Sequence, residues 1–197
     1  MSDITTRVSV IGEAVYPHLT KPDVRFNEYG EFKVTLKIGK QDASAMVKLF
    51  DQACEDSLAS AEKEAKGKKI KSAPRPYKLE GDNVFFKFKM RASGKNKKTN
   101  EMFSQRPALF DAKKNPISTS QSIWGGSLMK VAYQLIPYHT PMLGAGVSAR
   151  LKAVQILKLV EGQSQNIFKE EDGFEAKTDT PKSNSNGTTK VQESTDF

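Results

Sequence analysis

The segment Asn83–Arg91 (NVFFKFKMR) carries the clearest structural signal in the chain, because its side chains alternate between two kinds. One face of the extended segment is wholly apolar and consists of Val84, Phe86, Phe88 and Met90. The other face carries three cations and one aromatic ring, at Phe85, Lys87, Lys89 and Arg91. A two-residue repeat with one apolar face is typical of a half-buried β-strand. The sequence therefore predicts a strand with a core face and a basic, aromatic outer face.

Three further segments predict strands of the same sheet. Glu31–Gly39 (EFKVTLKIG) alternates as cleanly, and residues 127–137 (SLMKVAYQLIP) and 146–160 (GVSARLKAVQILKLV) are long, apolar and β-rich. Their polar positions supply more cations, at Lys33, Lys37, Arg150 and Lys152. Residues 16–30 contain prolines, an asparagine and a glycine, and they indicate an irregular connection. If the polar faces of these strands are neighbours, they form one broad positive surface.

A single helix interrupts the strands. Apolar residues recur at three- and four-residue steps after Asp42, which predicts an amphipathic helix at about residues 43–65 that stops near Gly67. A basic, proline-bearing linker follows, with the sequence KGKKIK at residues 66–71, and is predicted to be mobile. Residues 7–15 (RVSVIGEAV) and 105–111 (QRPALFD) add two further strand segments. Five or six strands with one inserted helix predict a mainly β protein, an OB-fold-like antiparallel barrel.

The charge distribution divides the chain into two parts. Residues 1–160 hold 27 basic and 15 acidic side chains, whereas residues 161–197 hold 4 basic and 8 acidic ones. The apolar periodicity stops after Gly162, so we expect one domain over residues 1–162 and a disordered acidic tail over residues 163–197. Opposite charges attract, so the tail becomes a competitor for any polyanion that the basic part binds.

Composition also bounds the class of function. The formal net charge of +8 and the pI of about 9.4 point to a polyanionic partner. Cys54 is the only cysteine, and His18 and His139 are the only histidines, so no metal site, cofactor or catalytic centre is predicted. No apolar run is long enough to span a membrane and no signal peptide precedes the strands, which indicates an intracellular protein. A nuclease that holds magnesium on Asp82 or Asp111 remains an alternative, as does a virion or scaffold protein.

The basic strand face is the strongest candidate for function. Single-stranded DNA offers a phosphate at every nucleotide and exposed base faces, so its binder combines cations with aromatic rings. The predicted DNA-binding residues are Lys33, Lys37, Phe85, Lys87, Lys89, Arg91, Lys95, Lys97, Lys98, Trp124, Arg150 and Lys152. A solvated strand face with a charged hairpin loop is the alternative interpretation. Trp124 is compatible with a stacking platform and with a lid over the barrel end.

Four segments in order resemble a known family. They are residues 84–95 (VFFKFKMRASGK), 105–117 (QRPALFDAKKNPI), 123–138 (IWGGSLMKVAYQLIPY) and 144–162 (GAGVSARLKAVQILKLVEG), and an acidic tail ending in phenylalanine follows them. This arrangement is similar to phage-encoded single-stranded DNA-binding proteins of the podovirus replication type. The resemblance implies an OB barrel with an inserted helix that coats unwound strands during replication and recombination and promotes annealing.

The resemblance also implies partners for the tail. In that family the acidic tail with its terminal aromatic contacts the phage DNA polymerase and helicase-primase and competes with DNA. Carried over by position, this gives partner-binding roles to Glu193, Asp196 and Phe197. The tail here also holds lysines, which implies weaker competition than is usual for the family. The implied location is the cytoplasm of the infected bacterial host, and the sequence is compatible with a homodimer.

Overall fold

A computed structural model describes residues 4–96 and 99–160 of the chain. Within them, ten strands and one helix follow in this order: β1 (Thr6–Val8), β2 (Gly12–Asp23), β3 (Glu31–Gly39), α1 (Lys40–Glu64), β4 (Tyr77–Glu80), β5 (Asn83–Arg91), β6 (Ser93–Lys95), β7 (Met102–Ser104), β8 (Ala108–Phe110), β9 (Leu128–Thr140) and β10 (Gly144–Lys158). The predicted acidic tail, residues 163–197, lies outside the described residues.

Five of the strands close into a ring. β2 pairs with β3, β3 with β5, β5 with β10, β10 with β9, and β9 with β2. Neighbours are antiparallel except β5 and β10, which run parallel and share one register pair, Lys89 with Arg150. The ring confirms the predicted OB-fold-like barrel, in which the second and third strands correspond to β3 and β5. The remaining strands extend it: β1 adds to β9, β4 to β5 and β8 to β10, while β6 and β7 form a separate hairpin.

In β3 and β5 every second side chain is buried, in step with the alternation of apolar and polar residues. All eight apolar residues of the two inner faces are buried, namely Phe32, Val34, Leu36, Ile38, Val84, Phe86, Phe88 and Met90. They pack with Met129, Val131 and Leu151 from β9 and β10 in one hydrophobic core. Burying this apolar surface is the main favourable term in folding, and it fixes which side of each strand faces water.

Helix α1 packs against the barrel through an aromatic cluster. The ring of Phe50 is fully buried, with its centroid 5.1 Å from that of Phe86 and 5.5 Å from that of Tyr133. Cys54 is buried on the same face. The helix begins three residues before the predicted start, at Lys40, so Asp42 lies inside its first turn and forms no capping hydrogen bond. A carboxylate in the first turn still interacts favourably with the helix dipole.

Two predictions about connections were wrong. Residues 16–23 belong to β2 and are not irregular, because two register shifts let this strand absorb its prolines while it stays paired with β3. The linker after α1 is held by backbone hydrogen bonds and not left loose: the N–H of Ala73 donates to the carbonyl of Ala145, and the N–H of Ala145 donates to the carbonyl of Lys71.

Candidate nucleic-acid interface

The outer faces of β2, β3 and β5, together with Arg150 at the adjoining position of β10, form one continuous surface, which we call the basic face. The strand register places His18 beside Lys33 and Lys33 beside Lys89, and Lys89 in turn lies beside Arg150 of β10. The face thus carries a row of three cations from neighbouring strands of the ring. Two residues along, Thr35 lies beside Lys87.

The basic face also contains the predicted aromatic residue. Phe85 is partly exposed, and its register partner on β3 is Lys37. Arg91 is exposed at the end of β5 and lies beside Glu31. The structure therefore brings together seven of the predicted residues: Lys33, Lys37, Phe85, Lys87, Lys89, Arg91 and Arg150. The polar faces of β3, β5 and β10, whose relative placement the sequence left open, are therefore neighbours.

Carboxylates on the same surface offset part of this charge. Lys37 pairs with Glu13 at 3.2 Å, and Lys89 lies 3.7 Å from Glu31. Both pairs are solvent-exposed, so each contributes little to stability and separates readily when a stronger anion arrives. Within the described residues Lys87, Arg91 and Arg150 form no ion pair, which leaves three charges of this face available to an anion.

Asp23 holds two cations at one end of the basic face. Its buried carboxylate accepts hydrogen bonds from Arg25 Nε and Nη2, both at 3.0 Å, and from Lys33 Nζ at 2.6 Å. These bonds, with those from Arg25 the strongest, hold the pKa of Asp23 far below its usual range. The group therefore stays ionised and fixes the start of the loop at residues 24–30.

That loop presents a ring that the sequence does not single out. Phe26 is 88% exposed, and its ring centroid lies 5.8 Å from the Arg25 guanidinium carbon and 5.9 Å from Lys33 Nζ. The loop joins the first and second strands of the ring, a position that binds oligonucleotides in OB-folds. The sequence did contain a sign of this role. Phe26 lies in a polar connection, where no apolar face of a strand or helix requires an aromatic residue.

A groove of about 810 Å³ borders the basic face on its β5 side. Lys87, Lys89 and Arg91 line it, and Ser148 of β10 lines it as well. Pro74 and Pro76 of the linker line it too, together with Tyr138, Thr140 and Leu143 from β9 and the turn that follows. A groove lined by both cations and apolar side chains suits a flexible polyanion with flat bases.

A second groove of about 700 Å³ borders the same face on its β2 side. Trp124 lines it and is 54% exposed, and its backbone N–H donates to the carbonyl of Val160. Tyr16 also lines this groove, is 82% exposed and has a φ of 48°, at a register shift of β2. Bulges of this kind re-aim a side chain, here toward solvent. Two exposed rings that line one groove favour a stacking platform over a lid for Trp124.

The remaining predicted residues lie elsewhere. Lys95 is exposed on β6, in the hairpin next to the basic face rather than on it. Lys152 is exposed but falls at a register shift of β10. Lys97 and Lys98 lie outside the described residues, as do the tail residues Glu193, Asp196 and Phe197.

The carboxylates considered for a nuclease do not converge in the described part of the chain. Residues 4–96 and 99–160 contain no group of three or more histidine, cysteine, aspartate or glutamate residues that could hold a metal ion. Asp111 instead organises a turn: its carboxylate accepts hydrogen bonds from the backbone N–H groups of Lys113 and Asn115 and from the Asn115 amide. The bonds from Asn115, the largest cause, lower the pKa of Asp111.

In the same described ranges, no helix has the length and hydrophobicity to cross a membrane.

The sequence is similar to characterised phage proteins over most of its length. Residues 11–159 match the family described as "Single-stranded DNA-binding protein, Bacteriophage T7". The single-stranded DNA-binding protein of Enterobacteria phage T3 is 33% identical over 165 residues, which cover 73% of this chain and 71% of that protein. The corresponding protein of Escherichia phage T7 is 32% identical over 173 residues, or 77% of this chain and 75% of that protein.

Solved structures agree with the sequence comparison. The crystal structure of the single-stranded DNA-binding protein encoded by bacteriophage T7 superposes with a TM-score of 0.74 at 29% identity, covering 88% of this chain and 100% of that one. A single-stranded DNA-binding protein from bacteriophage Enc34, solved in complex with single-stranded DNA, gives a TM-score of 0.57 at 17% identity and covers 81% of this chain and 89% of that one. The latter similarity shows a shared fold.

Proposed function

The chain belongs to the family of the bacteriophage T7 single-stranded DNA-binding protein, and from that premise we propose that its basic face is the surface that holds single-stranded DNA in phage replication. The observation that carries this assignment is the row of Lys33, Lys89 and Arg150 across neighbouring strands. Such a row lets the phosphates of one strand meet successive cations as the strand crosses the barrel.

Phosphates and bases meet different side chains in this arrangement. Lys87, Arg91 and Arg150 bind phosphates directly, and Lys37 and Lys89 join them when Glu13 and Glu31 give way. Lys33 offers its charge to a phosphate while it keeps its bond to the buried carboxylate of Asp23. The exposed rings stack on bases: Phe26 in the loop between β2 and β3, and Trp124 and Tyr16 in the groove that both of them line. Each ring accepts any base, because every base has a π-face, so binding depends little on sequence. We also propose supporting contacts with the DNA for five more residues: Phe85, Lys95, Lys97, Lys98 and Lys152.

We infer that the chain has two parts with different roles in DNA binding. Residues 1–162 are the DNA-binding domain, and residues 163–197 are an acidic tail whose Glu193, Asp196 and Phe197 bind the phage DNA polymerase and helicase-primase. The tail also competes with DNA, and the protein takes part in recombination and strand annealing as well as replication. We infer further that it acts in the cytoplasm of the infected bacterium. The relatives carry the names of DNA-binding proteins and not of enzymes, which supports a binding role.

Titration of the full chain with fluorescent oligonucleotides tests the function. Single-stranded oligonucleotides of mixed sequence are expected to bind more tightly than the same sequences as duplexes. Because the contacts are to phosphates, the logarithm of affinity falls with the logarithm of salt concentration by about 0.7 per neutralised phosphate. Equal or better affinity for duplex DNA overturns the proposal, and magnesium-dependent cleavage of the oligonucleotide supports the nuclease instead.

A further inference from the structure

The linker between α1 and β4 carries a cluster of positive charge that lies outside the basic face. It carries four exposed lysines within six residues: Lys66, Lys68, Lys69 and Lys71. Among the described residues these lysines form no ion pair. Like charges repel at such spacing, so the cluster is unfavourable by itself and becomes favourable when an anion lies against it.

Backbone bonds fix the path of the linker. Ala145 of β10 both donates to the carbonyl of Lys71, at 2.9 Å, and accepts from the N–H of Ala73, at 2.8 Å. Farther along, the N–H of Lys87 in β5 donates to the carbonyl of Pro76 at 3.1 Å. The linker is therefore joined first to β10 and then to β5.

Side chains hold it from the helix as well. Asp51 of α1 accepts a hydrogen bond from the Tyr77 hydroxyl at 2.8 Å and forms an ion pair with Arg75 at 3.1 Å. Burial, together with this bond, raises the pKa of Tyr77 to about 12. Three elements, β10, β5 and α1, thus hold the linker in place.

The linker lies against both β5 and β10. These strands meet at Lys89 and Arg150, and the linker bonds to each of them nearer its beginning, at Lys87 and Ala145. Two glycines of β10 make room for it: a Cβ at Gly144 would overlap the carbonyl oxygen of Lys71, and one at Gly146 would come within 2.7 Å of the Ala73 Cβ. Pro74 and Pro76 then line the same groove as Lys87 and Lys89.

We propose that residues 66–76 are a second wall of the DNA groove, and that Lys68, Lys69 and Lys71 bind phosphates of the strand that leaves the basic face past Pro74 and Pro76. This inference rests on the proposed function and extends its site beyond the barrel. The wall contacts the phosphate backbone and not the bases, because residues 66–76 contain charge and no aromatic side chain. The bound strand is therefore longer than the basic face alone accommodates.

The test compares two triple variants of the full chain. In the first, Lys68, Lys69 and Lys71 are changed to Ala. In the matched control, three exposed lysines outside both grooves, Lys48, Lys113 and Lys114, are changed to Ala, which removes the same charge. The salt slope of oligonucleotide binding is expected to fall in magnitude by about 0.7 per lost contact in the first variant and to stay at the wild-type value in the control. A third variant with Arg at positions 68, 69 and 71 is expected to restore the slope.

Oligonucleotides with uncharged methylphosphonate linkages in one terminal third locate the contact. Neutralising the end that reaches the linker weakens binding to the wild type, but it has no further effect on the linker alanine variant. If the linker variant keeps the wild-type slope, or loses no more than the control, the wall is not a DNA contact even though the barrel binds DNA. If the wild type itself does not prefer single strands, the proposed function fails instead, so the two failures are distinguishable.

Discussion

Phe26 places an exposed aromatic ring next to two cations whose positions are fixed. Its ring is the most exposed aromatic side chain among the described residues, and Arg25 and Lys33 lie near it. A base that stacks on this ring brings its phosphate toward those two cations. Stacking contributes about 1–3 kcal/mol per base. We expect Phe26→Ala to weaken binding of single-stranded oligonucleotides by roughly 5- to 150-fold.

The salt dependence separates stacking from charge. Phe26→Ala removes no cation, so the salt slope in fluorescence titrations is expected to match that of the wild type. Val8→Ala is the control, because Val8 is 64% exposed on β1, away from the basic face. Equal affinity for the two variants contradicts a stacking role, and a changed slope in Phe26→Ala indicates that the loop has moved.

Asp23 is the residue that links loop geometry to pH. Its folded-state pKa lies below the unfolded value of about 3.9, so its bonds to Arg25 and Lys33 stabilise the fold fully above that pH. This stabilisation is lost as the pH falls toward the folded-state pKa. Asp23→Asn is therefore expected to lower the free energy of unfolding at pH 7, by an amount that shrinks below about pH 4.

Urea unfolding at pH 7 and pH 3 measures this difference. Glu55→Gln serves as the control, because Glu55 is exposed on α1. A difference between wild type and Asp23→Asn that is the same at both values of pH means that the carboxylate charge does not hold the loop.

At the scale of elements, the sequence predicted what depends on local periodicity. The two-residue repeats of β3 and β5 and the three- to four-residue repeat of α1 are set by which side chains face the core, so the barrel and its helix were predictable. Residues 16–23 were not, because register shifts rather than alternation let β2 pass through two prolines. A strand is defined by its partner as much as by its own residues.

In the candidate site, too, the sequence predicted what local alternation determines and missed what depends on distant segments. Lys87 and Lys89 share a face by local alternation, and the sequence predicted them together. That Arg150 lies beside Lys89 depends on a parallel pairing between segments about 60 residues apart in the chain, which no local pattern encodes. Phe26 was missed for a related reason, since its role comes from the cations around it and not from its own segment. The linker was predicted to be mobile because its partners are not its neighbours in sequence: Ala145 lies on β10, far along the chain, and Asp51 lies several turns back along α1.

At the scale of the whole molecule, the opposite charges of the two parts of the chain give a prediction. Residues 1–160 carry an excess of 12 positive charges and residues 161–197 an excess of 4 negative ones. Deleting Glu193–Phe197 removes two carboxylate side chains and the terminal ring, so we expect a modest gain in affinity for single-stranded DNA at low salt. The gain is expected to disappear as salt screens the attraction.

The same deletion is expected to abolish binding to the phage polymerase and helicase-primase, which surface plasmon resonance measures directly. Phe197→Ala separates the two effects, because it keeps every carboxylate: it is expected to leave DNA affinity at the wild-type value while it weakens binding to the partner proteins. If the deletion changes neither property, the last five residues have no role in either. If Phe197→Ala raises DNA affinity as much as the deletion does, the ring and not the charge competes with DNA.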